Sequence, residues 1–197
     1  MIRIGIIGSI GSGKSFIAKL FKFPVFNADN EVKSIYKNSR GCFNKLKKKI
    51  PKYIKSFPVK KSELITAINK DKNNLIKISS VVHPLVRKKL KIFVKKYKKS
   101  EMVVLDIPLL IENKLNNKDD ILIFVKSNKK KILNRLKKRR NYNKKLIRNL
   151  NENQALISKK KKLANFVVDN DFHPNIMKKK IKFLKNKILD ERNRFRY

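Results

Sequence analysis

The chain has few of the residues that staple, anchor or bend a fold by themselves. Cys42 is the only cysteine in 197 residues, which rules out an intrachain disulfide and a cysteine-built metal cluster. Tryptophan is absent, and glycine occurs only 5 times. No apolar run reaches the length of a membrane span: Met102 to Ile111, the longest, is interrupted by Asp106. A glycine-rich loop already begins at Gly8, too early for a signal-peptide core, so the expected compartment is the cytoplasm. Acidic residues are scarce as well, 14 against 53 Lys and Arg, which leaves a net charge of +39.

A chain of this size buries about 70% of its unfolded surface, so a single domain with a full core is the expectation. The charge would ordinarily suggest a nucleic acid or an anionic membrane. Here the lysines are spread along the whole chain and accompany an excess of Asn and Ile, residues that share A/T-rich codons with Lys. Dispersed lysines of that origin read as solvated charge, so no specific nucleic acid and no membrane is expected as a partner. A basic nucleic-acid-binding ATPase stays open as an alternative, and oligomeric state is not legible.

Three of the few glycines lie together. Gly8-Ser-Ile-Gly11-Ser12-Gly13-Lys14-Ser15 follows the apolar stretch Ile2 to Ile7 and satisfies the phosphate-loop pattern. Glycines there let backbone N–H groups turn toward phosphate oxygens. Lys14 is expected to meet the β- and γ-phosphates and Ser15 to offer a hydroxyl to Mg²⁺, with a helix opening over Ser12 to Ser15. The pattern predicts a nucleoside triphosphate site, with ATP and Mg²⁺ as the implied pair.

Strands are predicted at Met1 to Ile7, Val25-Phe26, Met102 to Ile107, Ile121 to Val125 and Phe166 to Val168, with a helix at Lys14 to Phe21. Helical segments broken by Pro51, Pro58 and Pro84 fill Asn30 to Lys98, and Val86, Leu90, Phe93 and Tyr97 share one face of the last. Basic helices are expected at 129–140 and 144–163, joined by a turn at 141–143, and Met177, Ile181, Leu184 and Ile188 form a buried stripe near the C-terminus. Strands alternating with helices imply an α/β parallel sheet. Asn117-Lys118-Asp119-Asp120 matches a guanine-reading tetrapeptide but precedes a strand instead of following one, so it reads as a solvated turn.

Several side chains are candidates for chemistry. Asp29, after the second strand, is placed to take a hydroxyl proton or to cap the helix that follows. Asp106, ending the central strand, suits Mg²⁺ through water, or a turn. His83 and Arg87 could orient an acceptor and its phosphates. Arg135 and Arg139, four apart, project from one helix face as a lid clamp or as solvated charge, with Arg140 as the neighbouring register.

The segments Gly8 to Ser15, Phe26-Asn-Ala-Asp29, His83-Pro84, Leu105-Asp106-Ile-Pro-Leu-Leu110-Ile-Glu112-Asn113, Arg135-Leu-Lys-Lys-Arg139, Gln154 and Val168-Asp169-Asn170 resemble, in order and spacing, the dephospho-CoA kinases. That resemblance implies a phosphate-loop (P-loop) NTPase-type three-layer α/β fold: a core of 1–29, 99–126 and 164–197, an acceptor-binding helical insertion at 30–98 and a lid at 127–163. It also implies transfer of the ATP γ-phosphate to the ribose 3′-hydroxyl of dephospho-CoA, the last step of coenzyme A synthesis. Asp29 would be the general base, Lys14 and Arg139 catalytic cations, and Gly8, Gly11, Ser12, Gly13, Lys14, Ser15, Phe16, Arg139 and Asn170 the ATP contacts. Asp29, His83, Arg87 and Leu110 would meet the acceptor, and Ser15 and Asp106 the metal. Phe16 would act through its backbone N–H. A nucleoside or nucleotide kinase with the same core is the alternative. Departures from the family pattern are Ser9, Phe16, Asn27, Asp171, and Ile157 and Lys160 where arginines are usual.

Overall fold

The computed structural model describes residues 1–108, 110–138 and 154–194. Five strands, β1 (Ile2–Gly8), β2 (Val25–Asn27), β3 (Met102–Asp106), β4 (Ile121–Lys126) and β5 (Phe166–Asp169), form one sheet in the order β2-β3-β1-β4-β5. β1 pairs in parallel with β3, from Ile2↔Met102 to Gly5↔Leu105, and on its other edge with β4, from Ile4↔Ile121 to Gly8↔Val125. β4 pairs in parallel with β5, ending at Lys126↔Asp169. β1 and β3 are buried on both faces, and this is why they read as continuous apolar runs instead of alternating ones.

The helices are α1 (Lys14–Leu20), α2 (Ala28–Asn38), α3 (Arg40–Lys49), α4 (Lys61–Lys70), α5 (Asn73–Lys96), α6 (Lys129–Lys137), α7 (Gln154–Lys162) and α8 (Pro174–Arg194). The chain divides into two compact units, Met1–Phe26 with Tyr97–Tyr197, and Asn27–Lys96. In the first, Ile4, Ile6, Ile17, Phe21, Val104 and Ile123 form a core closed by the α8 stripe Met177, Ile181, Leu184 and Ile188, four positions at the spacing of one helix face. In the second, α2, α3 and α4 pack on α5, which buries Ile78, Val81, Val82, Val86 and Leu90. Cys42 is buried in this unit, and loss of hydration pushes its thiol pKa up, opposed by Lys45. Burial likewise raises Tyr36 to about 12, with Cys42 adding to the rise.

Two local expectations are corrected. Pro84 does not break its helix: α5 runs through it from Asn73 to Lys96. A mid-helix proline forfeits one backbone hydrogen bond and costs about 3 kcal/mol, which apolar positions buried on both sides of it, Val81 and Val82 before and Val86 and Leu90 after, offset. The helix after the glycine loop opens at Lys14 as expected, with Gly13 as its cap. Within the tetrapeptide, Asn117, Lys118 and Asp119 are exposed, but Asp120 is buried, 2.9 Å from Arg3 Nε. It also accepts hydrogen bonds from Arg3 Nη2 at 3.1 Å and from the Asn117 N–H at 2.9 Å. The turn is therefore pinned to β1.

Desolvation raises the Asp120 pKa even with those partners lowering it. Arg3→Met is expected to destabilise the fold by about 2–3 kcal/mol at neutral pH, below the full buried-pair figure because Arg3 is partly exposed. An acid whose folded pKa lies above its unfolded value is best tolerated when protonated, so the loss should shrink as pH falls toward 4. Urea melts of both proteins at pH 7 and pH 4.5 check this; equal losses at the two pH values would contradict it.

Candidate functional site

β1 delivers the glycine loop to the carboxyl edge of the sheet. Gly5 is fixed by packing, since a Cβ there would lie 2.6 Å from Leu110 Cδ2 and 2.7 Å from Leu122 Cδ2. Gly8, Gly11 and Gly13 have φ of 143°, 81° and 95°, values that side chains with a Cβ rarely adopt. A Cβ on Gly8 would also strike the Val125 carbonyl, and one on Gly11 would press on Ile132 and Leu136 of α6. The loop is thus shaped by backbone dihedrals on one side and by neighbouring elements on the other.

Lys14 bends back over the loop. Its ammonium donates to the Ser9 carbonyl at 2.8 Å and the Gly8 carbonyl at 3.1 Å, so a positive charge stands at the loop itself. Ser15 and Phe16, next along the first turn of α1, are exposed. Ser12 is fully buried, and its carbonyl accepts from Ser127 Oγ at 3.0 Å and Asn170 Nδ2 at 2.7 Å. Asp106 ends β3 one residue beyond the Gly5↔Leu105 pair and is buried, which puts its carboxylate on the sheet edge where the loop begins.

In the other unit, Asp29 sits in the first turn of α2, while Asn27 is the cap, its Oδ1 accepting the Asn30 N–H at 2.9 Å. The helix-capping alternative for Asp29 is thereby corrected: an amide oxygen one residue before the helix does that job, and Asp29 is exposed. His83 and Arg87 lie one turn apart on α5, both exposed.

Leu110 does not present a surface to a ligand. It is fully buried, and its side chain lies over Gly5, so its place in the Pro-Leu-Leu-x-Glu block is explained by packing. Arg139 and Arg140 lie outside the described residues, as do 141–153. Within 127–163, where a lid was expected, α6 is capped by Asn128, which accepts from Lys130 N at 2.9 Å. Its Arg135 guanidinium stacks over the Phe172 ring, 4.4 Å from the centroid.

Two features escaped the sequence. Ser127, the residue after β4, carried no motif yet holds the loop. Lys160 on α7 forms a half-buried ion pair with Glu112; nothing in their spacing announces it, and it occupies the cation that stands where an arginine is usual. Asp171 has its carboxyl pKa lowered, first by the His173 N–H and then by Lys180 and His173 charge, against desolvation.

With this geometry in hand, comparison with known proteins is specific. The family model described as dephospho-CoA kinase matches residues 2–175. The dephospho-CoA kinase of Ehrlichia canis (strain Jake) is 31% identical over 195 residues, covering 96% of this chain and 95% of its own length. That of Bartonella henselae is 32% identical over 171 residues, 84% of this chain and 87% of its own. Among solved structures, the dephospho-CoA kinase from Campylobacter jejuni superposes with a TM-score of 0.69 over 96% of this chain and 98% of that one, at 19% identity, a likeness of fold. A family-model match over most of the chain, joined to a glycine loop with Lys14 folded across it and a buried Asp106 on the same edge, shows that the chain belongs to the dephospho-CoA kinase family.

Proposed function

We propose that the chain carries out the family's reaction, moving the γ-phosphoryl group of ATP to the ribose 3′-hydroxyl of dephospho-CoA to give coenzyme A and ADP. One observation carries this reading: the Lys14 ammonium rests on the Gly8 and Ser9 carbonyls, 3.1 and 2.8 Å away, a position from which a phosphate tail can draw it.

In the proposed reaction Asp29 takes the hydroxyl proton, the ribose oxygen bonds to the γ-phosphorus, and the bond from that phosphorus to the β–γ bridging oxygen breaks. The transition state is loose, so positioning and charge supply most of the acceleration. The Gly8 to Gly13 amides cradle the tail, Lys14 neutralises charge on the β- and γ-phosphates, and Ser15 and Phe16 meet the phosphates from α1, Phe16 through its backbone N–H. Arg139 adds the lid cation. His83 and Arg87 orient the acceptor.

A magnesium ion fits the donors present. Ser15 offers an exposed hydroxyl and Asp106 a buried carboxylate, both hard oxygen ligands, and among the described residues no group of three or more His, Cys, Asp or Glu could cage a metal. Few protein ligands, completed by phosphate oxygens and water, is the usual condition for Mg²⁺ in phosphoryl transfer. When bound it supplies charge neutralisation to the phosphates; Ser15 would hold it directly and Asp106 through water.

No helix among the described residues is long and apolar enough to cross a membrane. The test is an acceptor panel in an ADP-release assay with and without Mg²⁺. Dephospho-CoA should be the preferred acceptor; preference for a nucleoside monophosphate, or turnover that needs DNA or RNA instead of an acceptor, would overturn the reading.

A further inference from the structure

The resemblance places Asn170 among the ATP contacts, yet its side chain is committed elsewhere. Its own N–H donates to the Lys126 carbonyl at 2.8 Å, continuing the β4–β5 ladder one step past the Lys126↔Asp169 pair. The residue is therefore fixed at the carboxyl edge of the sheet, 2% exposed. Both ends of the amide are in use: Nδ2 donates to the Ser12 carbonyl at 2.7 Å, and Oδ1 accepts the Phe172 N–H at 3.0 Å. Turning the amide over would set oxygen against oxygen at Ser12 and N–H against N–H at Phe172, so the assignment of its two atoms is determined.

We infer that Asn170 is a positioning residue for phosphoryl transfer, acting on the nucleotide only through the Ser12–Gly13 peptide of the phosphate loop. The peptide is planar and trans, so the Ser12 C=O and the Gly13 N–H point to opposite sides. Fixing the carbonyl on the side of Asn170 and Ser127 therefore aims the Gly13 N–H away from those two donors. Ser127 Oγ, 3.0 Å from the same carbonyl, is the second donor in this clamp. Gly13 is moulded to it: a Cβ at that position would collide with Asn170 Nδ2. The missing Cβ at Gly13 thus admits the amide that orients it, in addition to permitting its φ of 95°.

The test compares Asn170→Asp with the parent protein. Aspartate keeps the shape and can still accept from Phe172, but it offers no donor to Ser12. The inference rests on the proposed nucleotide site, so binding of a non-hydrolysable ATP analogue is measured without acceptor. If the parent binds no nucleotide, the proposed function fails; if parent and variant bind alike, this inference fails alone. The expected result is a loss of about 10- to 100-fold in kcat/KM for ATP, the range of one unmade buried hydrogen bond. The KM for dephospho-CoA and the dissociation constant for adenosine, which has no phosphate to meet the loop, should not change. A parallel loss for adenosine would mean direct nucleoside contact, and unchanged kcat/KM per folded molecule would mean a purely structural role; either overturns the inference. Should Asn170→Asp fold poorly, Ser127→Ala removes the other donor and should show the same pattern at smaller size, and its absence there counts equally against the clamp.

Discussion

Lys14→Met is expected to reduce kcat/KM for ATP by about 10²–10³-fold or more while the protein remains folded. The size follows from what is removed. A preorganised donor aimed at developing phosphate charge is worth about 3–4 kcal/mol in water-poor surroundings, and a full ammonium sits at the upper end. Methionine has similar length and no charge, so the loop loses the two hydrogen bonds to Gly8 and Ser9 without losing the volume that filled it. Lys14→Arg should rescue little. The ammonium is a compact point charge lying across two adjacent carbonyls, whereas a planar guanidinium is wider and cannot settle on them in the same way. The ADP-release assay on both variants, with thermal melts as the folding control, checks this. Turnover within about tenfold of the parent in Lys14→Met would mean that the loop does not grip the tail through this residue.

Some of this arrangement was legible in the chain and some was not, and the division has a physical basis. The glycine loop could be read because local rules dictate it: backbone dihedrals closed to side chains, a buried strand before it, and a Lys-Ser pair at a fixed offset. The α8 stripe was legible for the same reason, since Met177, Ile181, Leu184 and Ile188 obey one helical period. Pro84 misled because a local rule was overridden by packing on both sides of it. Asp120 misled in the opposite direction: its neighbours are solvated as expected, but Arg3, distant in sequence, draws it into the structure. The clamp on Ser12 and the Lys160–Glu112 pair are of that second kind. Each joins segments far apart in sequence, so no window of the sequence contains both partners. Leu110 was visible as part of a motif, but a motif does not say which of its members face a ligand and which pack; its full burial over Gly5 decides that.

Asp29→Asn separates chemistry from folding more cleanly than any other substitution. Asn27 accepts the Asn30 N–H at 2.9 Å and so starts α2, leaving Asp29 with no capping duty. What the carboxylate gives the helix is its charge in the first turn, worth about 0.3–1 kcal/mol when exposed. Stability should therefore move by less than about 1 kcal/mol in a urea melt. A general base contributes about 10²–10⁴-fold to the rate, and an amide of the same shape can neither take nor hold a proton. Accordingly, kcat with dephospho-CoA should fall by about that factor, and the KM for ATP should stay near its parent value because the phosphate loop is untouched. A variant that turns over at near-parental rate would move the proton to another acceptor and remove Asp29 from the chemistry.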